Sequence, residues 1–186
     1  MSGRLCPRWV GYLLVSPIRR LLQDPRAILG PFVTEGMNVL EPGPGMGFFT
    51  LELARLVGPR GRVVAIDVQP RMLDALRRRA RRAGLDGRIE TRAPRGDRLG
   101  VEDLEGRMDF ALAFAVVHEL PSVEAFFADA RAALRAGGRL LLAEPTGHVS
   151  EEAFARTLDA ATRAGFRIEA RPSIPRSRSA LLVVTT

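Results

Sequence analysis

Gly43, Gly45 and Gly47 follow a short apolar segment that ends in Glu41, and Asp67 stands twenty residues after the last of these glycines. Glycine has no β-carbon, so the main chain there can adopt positive φ and approach a ligand closely. A carboxylate at the end of the following strand can accept hydrogen bonds from both hydroxyls of a ribose. Together these features predict a pocket for a cofactor that contains adenosine.

The glycine spacing disfavours a dinucleotide. The dinucleotide fingerprint has glycine or alanine one position later, where this chain has Phe48. Glu41 would repel a pyrophosphate, but it suits a ligand with positive charge. S-adenosylmethionine carries an amino group and a sulfonium and has no phosphate, so it is the cofactor that the residues favour. The alternative interpretation is a tight turn and an aspartate on the surface.

Two histidines follow predicted strands, and either is a candidate general base or substrate ligand. His118 comes after the apolar segment 108–114, and His148 comes shortly after Glu144. Imidazole exchanges a proton near neutral pH, and Glu144 could hold His148 or the substrate. The structural alternatives are a hydrogen bond at a helix start for His118 and a position beside a helix cap for His148. Phe114 is expected to pack against the cofactor or the core.

All 28 basic residues are arginine. Phosphate-loop nucleotide hydrolysis and Schiff-base catalysis both need a lysine, so both are excluded. The net charge of +7 raises the possibility of an anionic partner such as RNA. However, Arg77–Arg79 and Arg81–Arg82 fall on a predicted helix with an apolar opposite face, which favours a solvated surface. A single cysteine, Cys6, excludes an intrachain disulfide, and no transition-metal site is expected.

The elements that must position these residues alternate along the chain. Strands are predicted at residues 37–41, 62–67, 88–92, 108–114, 139–144, 166–174 and 180–185. Helices are predicted at residues 48–57, 70–83, 123–134 and 151–164, after two short helices that start at Ser16–Pro17 and Asp24–Pro25. This alternation predicts a doubly wound, mostly parallel sheet with helices on both faces. The last two strands are joined by too few residues for a crossover, so they must be antiparallel.

The motifs resemble those of class I S-adenosylmethionine-dependent methyltransferases, specifically the small-molecule type similar to the ubiquinone and menaquinone methyltransferases. The resemblance is carried by Glu41–Gly47, Asp67, Asp109–His118 and Leu134–Leu140, and it extends from about residue 30 to the C-terminus. It implies a seven-stranded sheet of order 3-2-1-4-5-7-6 with strand 7 antiparallel. It also implies methyl transfer to an oxygen, sulfur or carbon atom of a small-molecule acceptor.

The resemblance assigns a role to most of the cofactor residues. Glu41, Gly43 and Gly45 would contact the methionine part, Asp67 the ribose, and Val68 and Met72 the adenine. After the third strand the family usually has Gly-Asp, whose acid binds the adenine amine, whereas this chain reads Ala93-Pro94-Arg95-Gly96-Asp97. The adenine amine is therefore assigned either to a backbone carbonyl near Ala93 or to Asp97.

The expected organisation is a helical lead-in at residues 1–36 and a Rossmann-like methyltransferase domain at residues 37–186. The lead-in, with Cys6, Trp9 and Tyr12, is a candidate lid or a helix packed on the sheet or on a partner subunit. Alternative functions are an RNA methyltransferase, which the arginine excess would suit, and a non-catalytic module that binds S-adenosylmethionine or S-adenosylhomocysteine. A cytoplasmic monomer or homodimer without a membrane span is expected.

Overall fold

The computed structural model describes residues 23–185 of the chain. The candidate lid residues Cys6, Trp9 and Tyr12 lie outside this range, as does the helix expected at Ser16–Pro17. None of the helices within residues 23–185 combines the length and the apolar character that crossing a bilayer requires.

The lead-in ends with a short helix, α1, over Pro25–Leu29. The Asp24 side chain accepts a hydrogen bond from the backbone N–H of Arg26 at 2.9 Å, and a proline occupies the first helical position. This is the capping arrangement that the Asp24–Pro25 pair predicts. α1 ends at Gly30 and is anchored by the fully buried Leu29.

In this part of the chain seven strands form one sheet. They are β1 (Asn38–Pro42), β2 (Arg62–Ile66), β3 (Ile89–Arg92), β4 (Met108–Phe114), β5 (Leu134–Pro145), β6 (Phe166–Ala170) and β7 (Ser177–Val184). Their order is β3-β2-β1-β4-β5-β7-β6. The first five strands pair in parallel, whereas β7 is antiparallel to both β5 and β6. The predicted order and the antiparallel seventh strand are confirmed.

Helices cover both faces of the sheet. They are α2 (Thr50–Leu56), α3 (Pro70–Arg82), α4 (Val123–Ala133) and α5 (Glu151–Arg163). α1, α2 and α3 contribute to one buried cluster, and α4 and α5 contribute to the other. Neighbouring residues of a strand belong to opposite clusters, as Val39 and Leu40 do, because successive side chains of a strand point to opposite faces.

β5 differs from the prediction. It begins at Leu134 rather than at Arg139, so it includes Gly137 and Gly138, which precede the predicted strand. The pairing with β4 is irregular there, since Met108 pairs with Leu134 whereas Phe110 pairs with Arg139. Gly137 has a φ of 69°, and the residues of β5 between Leu134 and Arg139 that have no counterpart in β4 leave the ladder there. The residues before Arg139 therefore form a bulge inside a longer strand.

β6 is shorter and β7 longer than predicted. β6 ends at Ala170, and β7 begins at Ser177. Pro172 and Pro175 lie between them, and proline lacks the N–H that a sheet ladder requires. The segment turns instead, with the Ser177 N–H donating to the carbonyl of Ile174 at 3.1 Å.

Candidate functional site

A cavity of about 260 Å³ opens at the carboxyl ends of β1, β2 and β4. Ligands of open α/β sheets bind at this edge, where the strand order reverses on either side of the first strand. Most of the predicted cofactor residues line it: Glu41, Gly43, Gly45, Asp67, Val68, Met72 and Phe114. A groove of about 440 Å³ between α4 and α5 contains none of the predicted site residues.

The glycine-rich loop forms one wall of the cavity. Gly43 has a φ of 68° and Gly45 a φ of 54°, in the left-handed region that favours glycine. A β-carbon on Gly43 would lie 2.5 Å from Val116 Cγ2, whereas one on Gly45 would meet nothing within 4 Å. Gly47 does not line the cavity, because it packs against Leu76 of α3. Gly43 is thus required by packing, while the space beside Gly45 is left for a ligand.

Arg79 of α3 supports the glycine-rich loop. Its guanidinium donates a hydrogen bond to the carbonyl oxygen of Met46, and the residue is only half-exposed. The sequence assigned Arg79 to a solvated helix face, and this assignment is wrong for this one member of the arginine run. A signal was available, because Arg79 lies three residues after the buried Leu76 and so shares its side of the helix.

Asp67 joins the end of β2 to the glycine-rich loop. Its Oδ2 accepts a hydrogen bond from the N–H of Gly45 at 3.2 Å, and its Oδ1 accepts one from the N–H of Gln69 at 2.8 Å. Burial raises the pKa of Asp67; the two backbone hydrogen bonds oppose the rise, and the Glu119 carboxylate adds to it. Each carboxylate oxygen can accept a further hydrogen bond, so Asp67 keeps acceptor capacity for a ligand.

Glu41 is a buried acid at the end of β1. It is 3% exposed, and its Oε2 has no hydrogen-bond partner among the described residues. The pKa of Glu41 is raised to about 8, and burial is the largest cause. Asp67 adds to the rise. The nearby Thr50 hydroxyl lowers the pKa, although no hydrogen bond joins the two groups. A buried carboxyl without a partner is costly. It therefore marks the place where a ligand with a positive charge would be stabilised.

The predicted catalytic residues form a second cluster beside the cavity. Glu144 is 1% exposed; its Oε1 accepts a hydrogen bond from the N–H of Val117 at 2.8 Å, and its Oε2 bonds with Nδ1 of His118. The pKa of His118 is raised, and the bond to Glu144 is the largest cause. Burial opposes this rise, and the charges of Glu144 and Glu119 add to it. Glu144 thus holds His118 and does not hold His148, contrary to one of the predictions.

His148 lies next to this pair. Its ring centroid is 5.9 Å from that of His118, and the residue is exposed. His118, His148 and Glu144 are not among the residues that line the cavity. The structure therefore brings the three predicted catalytic residues together, in a cluster next to the cofactor cavity rather than within it.

The loop after β3 lines the cavity with residues that the sequence did not single out. Pro94 and Leu99 form part of the wall, whereas Ala93 and Asp97 are exposed and do not. The buried Asp129 of α4 fixes this loop: its Oδ2 accepts a hydrogen bond from the N–H of Leu99 at 2.7 Å. No local pattern signals this role, because Asp129 is thirty residues away in sequence.

The lining is acidic. Glu41, Asp67 and Glu119 contribute carboxyl groups, and no arginine or histidine is found among the described residues that line the cavity. Such a lining opposes phosphate groups and favours a cationic ligand. Within residues 23–185, no three His, Cys, Asp or Glu side chains are grouped closely enough to hold a metal ion.

Residues 33–170 match a family model described as a methyltransferase domain. The chain is also 33% identical over 159 residues to a ubiquinone biosynthesis O-methyltransferase of Methylocella silvestris. This alignment covers 82% of the chain but 57% of that enzyme, so the chain spans little more than half the length of this relative.

Solved structures share the fold. A SAM dependent methyltransferase from Aquifex aeolicus superposes with a TM-score of 0.83 at 25% identity, covering 96% of this chain and 98% of that one. Fibrillarin of Aeropyrum pernix, in complex with natively bound S-adenosyl-L-methionine, gives a TM-score of 0.67 at 20% identity, covering 87% and 73% of the two chains. The second likeness extends to the fold alone.

Proposed function

The chain belongs to the methyltransferase domain family, among the class I enzymes that use S-adenosylmethionine, and from this premise we propose that it methylates a small molecule. The methyl group would be transferred to an oxygen, sulfur or carbon atom of the acceptor. Membership of the family identifies S-adenosylmethionine as the cofactor, whereas the small-molecule acceptor is what we propose.

The observation that supports the cofactor part of this proposal is the unpartnered Oε2 of Glu41 in an acidic cavity. The amino group of S-adenosylmethionine would satisfy the buried Oε2, and Asp67 would accept hydrogen bonds from the ribose hydroxyls. Val68 and Met72 would pack against the adenine. The donor set of the cavity thus fits this cofactor better than it fits a nucleotide with phosphates.

When bound, S-adenosylmethionine supplies an activated methyl group. Held by Glu41, Asp67, Val68 and Met72, it would give up this methyl group to the acceptor atom, and the electrons of the broken carbon–sulfur bond would return to sulfur. For such an in-line displacement the protein mainly has to align the acceptor and exclude water. Phe114, which packs against Phe49 with ring centroids 4.3 Å apart, gives the cavity a rigid apolar wall for this purpose.

We assign His118 as the base that removes a proton from the acceptor. Its Nδ1 is engaged by Glu144, which leaves Nε2 as the atom that can accept a proton. Nε2 lies 3.9 Å from Oε1 of Glu119, and Glu119 lines the cavity. His118 is therefore held at the rim of the cavity with one nitrogen available.

Calorimetry with S-adenosylmethionine, S-adenosylhomocysteine and NAD tests the cofactor assignment. The first two ligands should bind, and NAD should not. Asp67→Ala should weaken binding by about 1–3 kcal/mol, because charge-assisted hydrogen bonds to the ribose are lost. Asp97→Ala is the matched control, since Asp97 is exposed and outside the cavity. Unchanged affinity of the Asp67 variant, or tight binding of NAD, would contradict the assignment.

The relative named above is an O-methyltransferase of ubiquinone biosynthesis, which supports a small aromatic acceptor. Formation of S-adenosylhomocysteine from a panel of phenols, thiols and carbon acids measures this directly. Turnover with RNA alone would instead support the RNA methyltransferase alternative. Cofactor binding without turnover of any acceptor would support the non-catalytic module.

A further inference from the structure

The cavity offers one more carboxylate than the proposed contacts use. Glu41 and Asp67 account for the amino group and the ribose of the cofactor in the function proposed above, on which this inference rests. The third acid in the lining is Glu119, whose side chain is 55% exposed. The remaining hydrogen-bond donor of the cofactor is the amino group of its adenine.

The loop after β3 has no side-chain acceptor to offer to that amino group within the cavity. Pro94 and Leu99 are the residues of this loop that line the wall, and both side chains are apolar. Asp97 is exposed and does not line the cavity, and Ala93 is also outside it. Of the two acceptors that the sequence suggested, the Asp97 carboxylate therefore does not line the pocket, and the other is a backbone carbonyl near Ala93 rather than a side chain.

Apolar residues from two sides of the cavity form a slot suited to a flat base. Val68 and Met72 follow the end of β2, while Leu99 and Leu120 come from the loops after β3 and β4. Leu99 belongs to the buried cluster against which Leu120 packs, so both residues join the lining to the same half of the core. The slot begins next to Asp67, the residue assigned to the ribose, which is the place where an attached base would enter.

Glu119 lies at the edge of this slot. It ends the short 3₁₀ turn Val117–Glu119 and directly precedes Leu120. Asp67 and Glu119 line the same cavity, and the Glu119 carboxylate adds to the rise that burial causes in the pKa of Asp67. Nε2 of His118 lies 3.9 Å from Oε1 of Glu119, and His118 is in turn fixed by Glu144. Glu119 thus lies beside a histidine ring that is fixed from the core, at a distance from Nε2 that is too long for a hydrogen bond.

We propose that Glu119 binds the exocyclic amino group of the adenine and makes the cavity selective for adenosine. The amino group would donate a hydrogen bond to the carboxylate, a charge-assisted bond stronger than a neutral one. The unpartnered and buried Glu41, which lines the same cavity, independently marks it as a ligand site. Glu119 is a binding residue in this proposal and does not take part in methyl transfer.

The test compares two ligands whose bases differ at the exocyclic amino group and at the ring nitrogen beside it. S-adenosylhomocysteine carries the amino group, whereas S-inosylhomocysteine has a carbonyl oxygen in its place, which a carboxylate repels. Calorimetry should find that the wild-type chain prefers the adenosyl ligand by roughly tenfold or more, as expected for a site built to bind a donor. Glu119→Ala should remove most of this preference, by weakening the adenosyl ligand and strengthening the inosyl one.

Two variants serve as controls. Asp97→Ala should keep the wild-type preference, and Asp67→Ala should weaken both ligands by the same factor. Glu119 is on the surface, so thermal unfolding of Glu119→Ala should match that of the wild type. An equal loss for both ligands in Glu119→Ala would place Glu119 on the ribose and overturn the proposal.

Unchanged binding of both ligands together with a raised KM for the acceptor would also overturn the proposal, since it would assign Glu119 to the acceptor side. Failure of the wild-type chain to bind S-adenosylhomocysteine would instead overturn the proposed function. The ratio of the two affinities therefore tests Glu119, and wild-type binding tests the function.

Discussion

At the scale of single residues, two buried acids differ in how they are satisfied. Glu144 has a partner for each of its oxygens, the Val117 N–H and the His118 ring. Glu41 is equally buried, but its Oε2 has no partner among the described residues. A satisfied buried acid stabilises the local structure, whereas an unsatisfied one destabilises it until a ligand binds.

Binding of S-adenosylmethionine is expected to release a proton from Glu41. With a pKa of about 8, Glu41 carries a proton at pH 7, and a bound ammonium would favour the ionised form. Affinity should therefore rise with pH between about pH 6 and 7.5. Calorimetry in buffers of different ionisation heats measures the released proton. Glu41→Gln should abolish the release, and an identical proton count in both proteins would disprove the role of Glu41.

Glu41 also has a consequence for the stability of the ligand-free chain. Its folded pKa of about 8 exceeds the ordinary value of 4.5, so above pH 4.5 the unfolded state releases a proton that the folded state retains. This contribution therefore lowers stability progressively from pH 4.5 towards pH 8. Glutamine does not ionise, so the stability of Glu41→Gln relative to wild type should be greater at pH 8 than at pH 5 in denaturant unfolding.

Turnover of an ionisable acceptor should rise with pH and depend on His118. The imidazolium cannot accept a proton, and the bond to Glu144 raises the pKa of His118 above its ordinary 6.5, so the half-point of the rise should lie above pH 6.5. His118→Ala should lower kcat by about 10²–10⁴-fold, the usual contribution of a general base. His148→Ala is the control.

Glu144→Gln separates the positioning role from the catalytic one. Glutamine retains an oxygen that can accept from the Val117 N–H, but it removes the charge beside His118. The half-point of the pH profile should therefore move down towards the ordinary value, with KM for S-adenosylmethionine unchanged. A pH profile that neither variant alters would exclude His118 as the base.

At the scale of elements, the glycine-rich loop needs glycine for two different reasons: close packing at Gly43 and free space for a ligand at Gly45. Gly43 is closed in by Val116, whereas Gly45 faces open space. Both have positive φ, so an added side chain introduces backbone strain at either position. The loop is further tied to β2 through Asp67 and to α3 through Arg79.

Alanine substitutions should separate these two requirements. Gly43→Ala should lower the free energy of unfolding by about 2–4 kcal/mol, from strain and overpacking together. Gly45→Ala should cost about 1–2 kcal/mol from strain alone, yet weaken S-adenosylmethionine by tenfold or more, because the methyl group occupies the ligand's space. Gly84→Ala is the control, since Gly84 has a φ of 65° with nothing within 4 Å and lies at the far end of α3. Wild-type affinity in Gly45→Ala would show that the ligand does not approach this loop.

At the scale of the whole molecule, the positive charge is not concentrated at the cavity. Within the described residues, Arg78 and Arg82 on α3 have no acidic side chain within 4 Å, but the residues lining the cavity include three acids. α3 starts at the cavity, where Met72 lines it, and Arg82 lies ten residues further on, about 15 Å along the helix axis. Arg82 thus lies at the end of α3 that is away from the cavity.

RNA binding by this chain should therefore be weak, strongly dependent on salt and unrelated to methylation. Arg78→Glu with Arg82→Glu should abolish any RNA retention at low salt, because phosphate contacts depend on these charges. The same double variant should leave small-molecule turnover unchanged. Filter binding at 50 and 200 mM salt and the turnover assay measure both effects. Methyl transfer to RNA by the wild-type chain that is lost in the double variant would favour an RNA substrate.

The sequence by itself determined the features that depend on neighbouring residues. Asp24–Pro25 specified the start of α1, because a cap and its helix are a few residues apart. The alternation of apolar segments specified which strands are buried, because burial follows the period of each element. Gly43, Gly45 and Asp67 revealed the cavity, since the loop after a strand and the acid after the next strand meet at one sheet edge.

Only the tertiary structure decided which side chains meet across elements. Glu144 holds His118 rather than His148, Arg79 supports the loop, and Asp129 fixes Leu99. These contacts join residues between 26 and 33 positions apart, and no periodicity encodes a distance of that kind. They depend on how far a side chain reaches once helices have packed against the sheet, which is a property of the assembled fold.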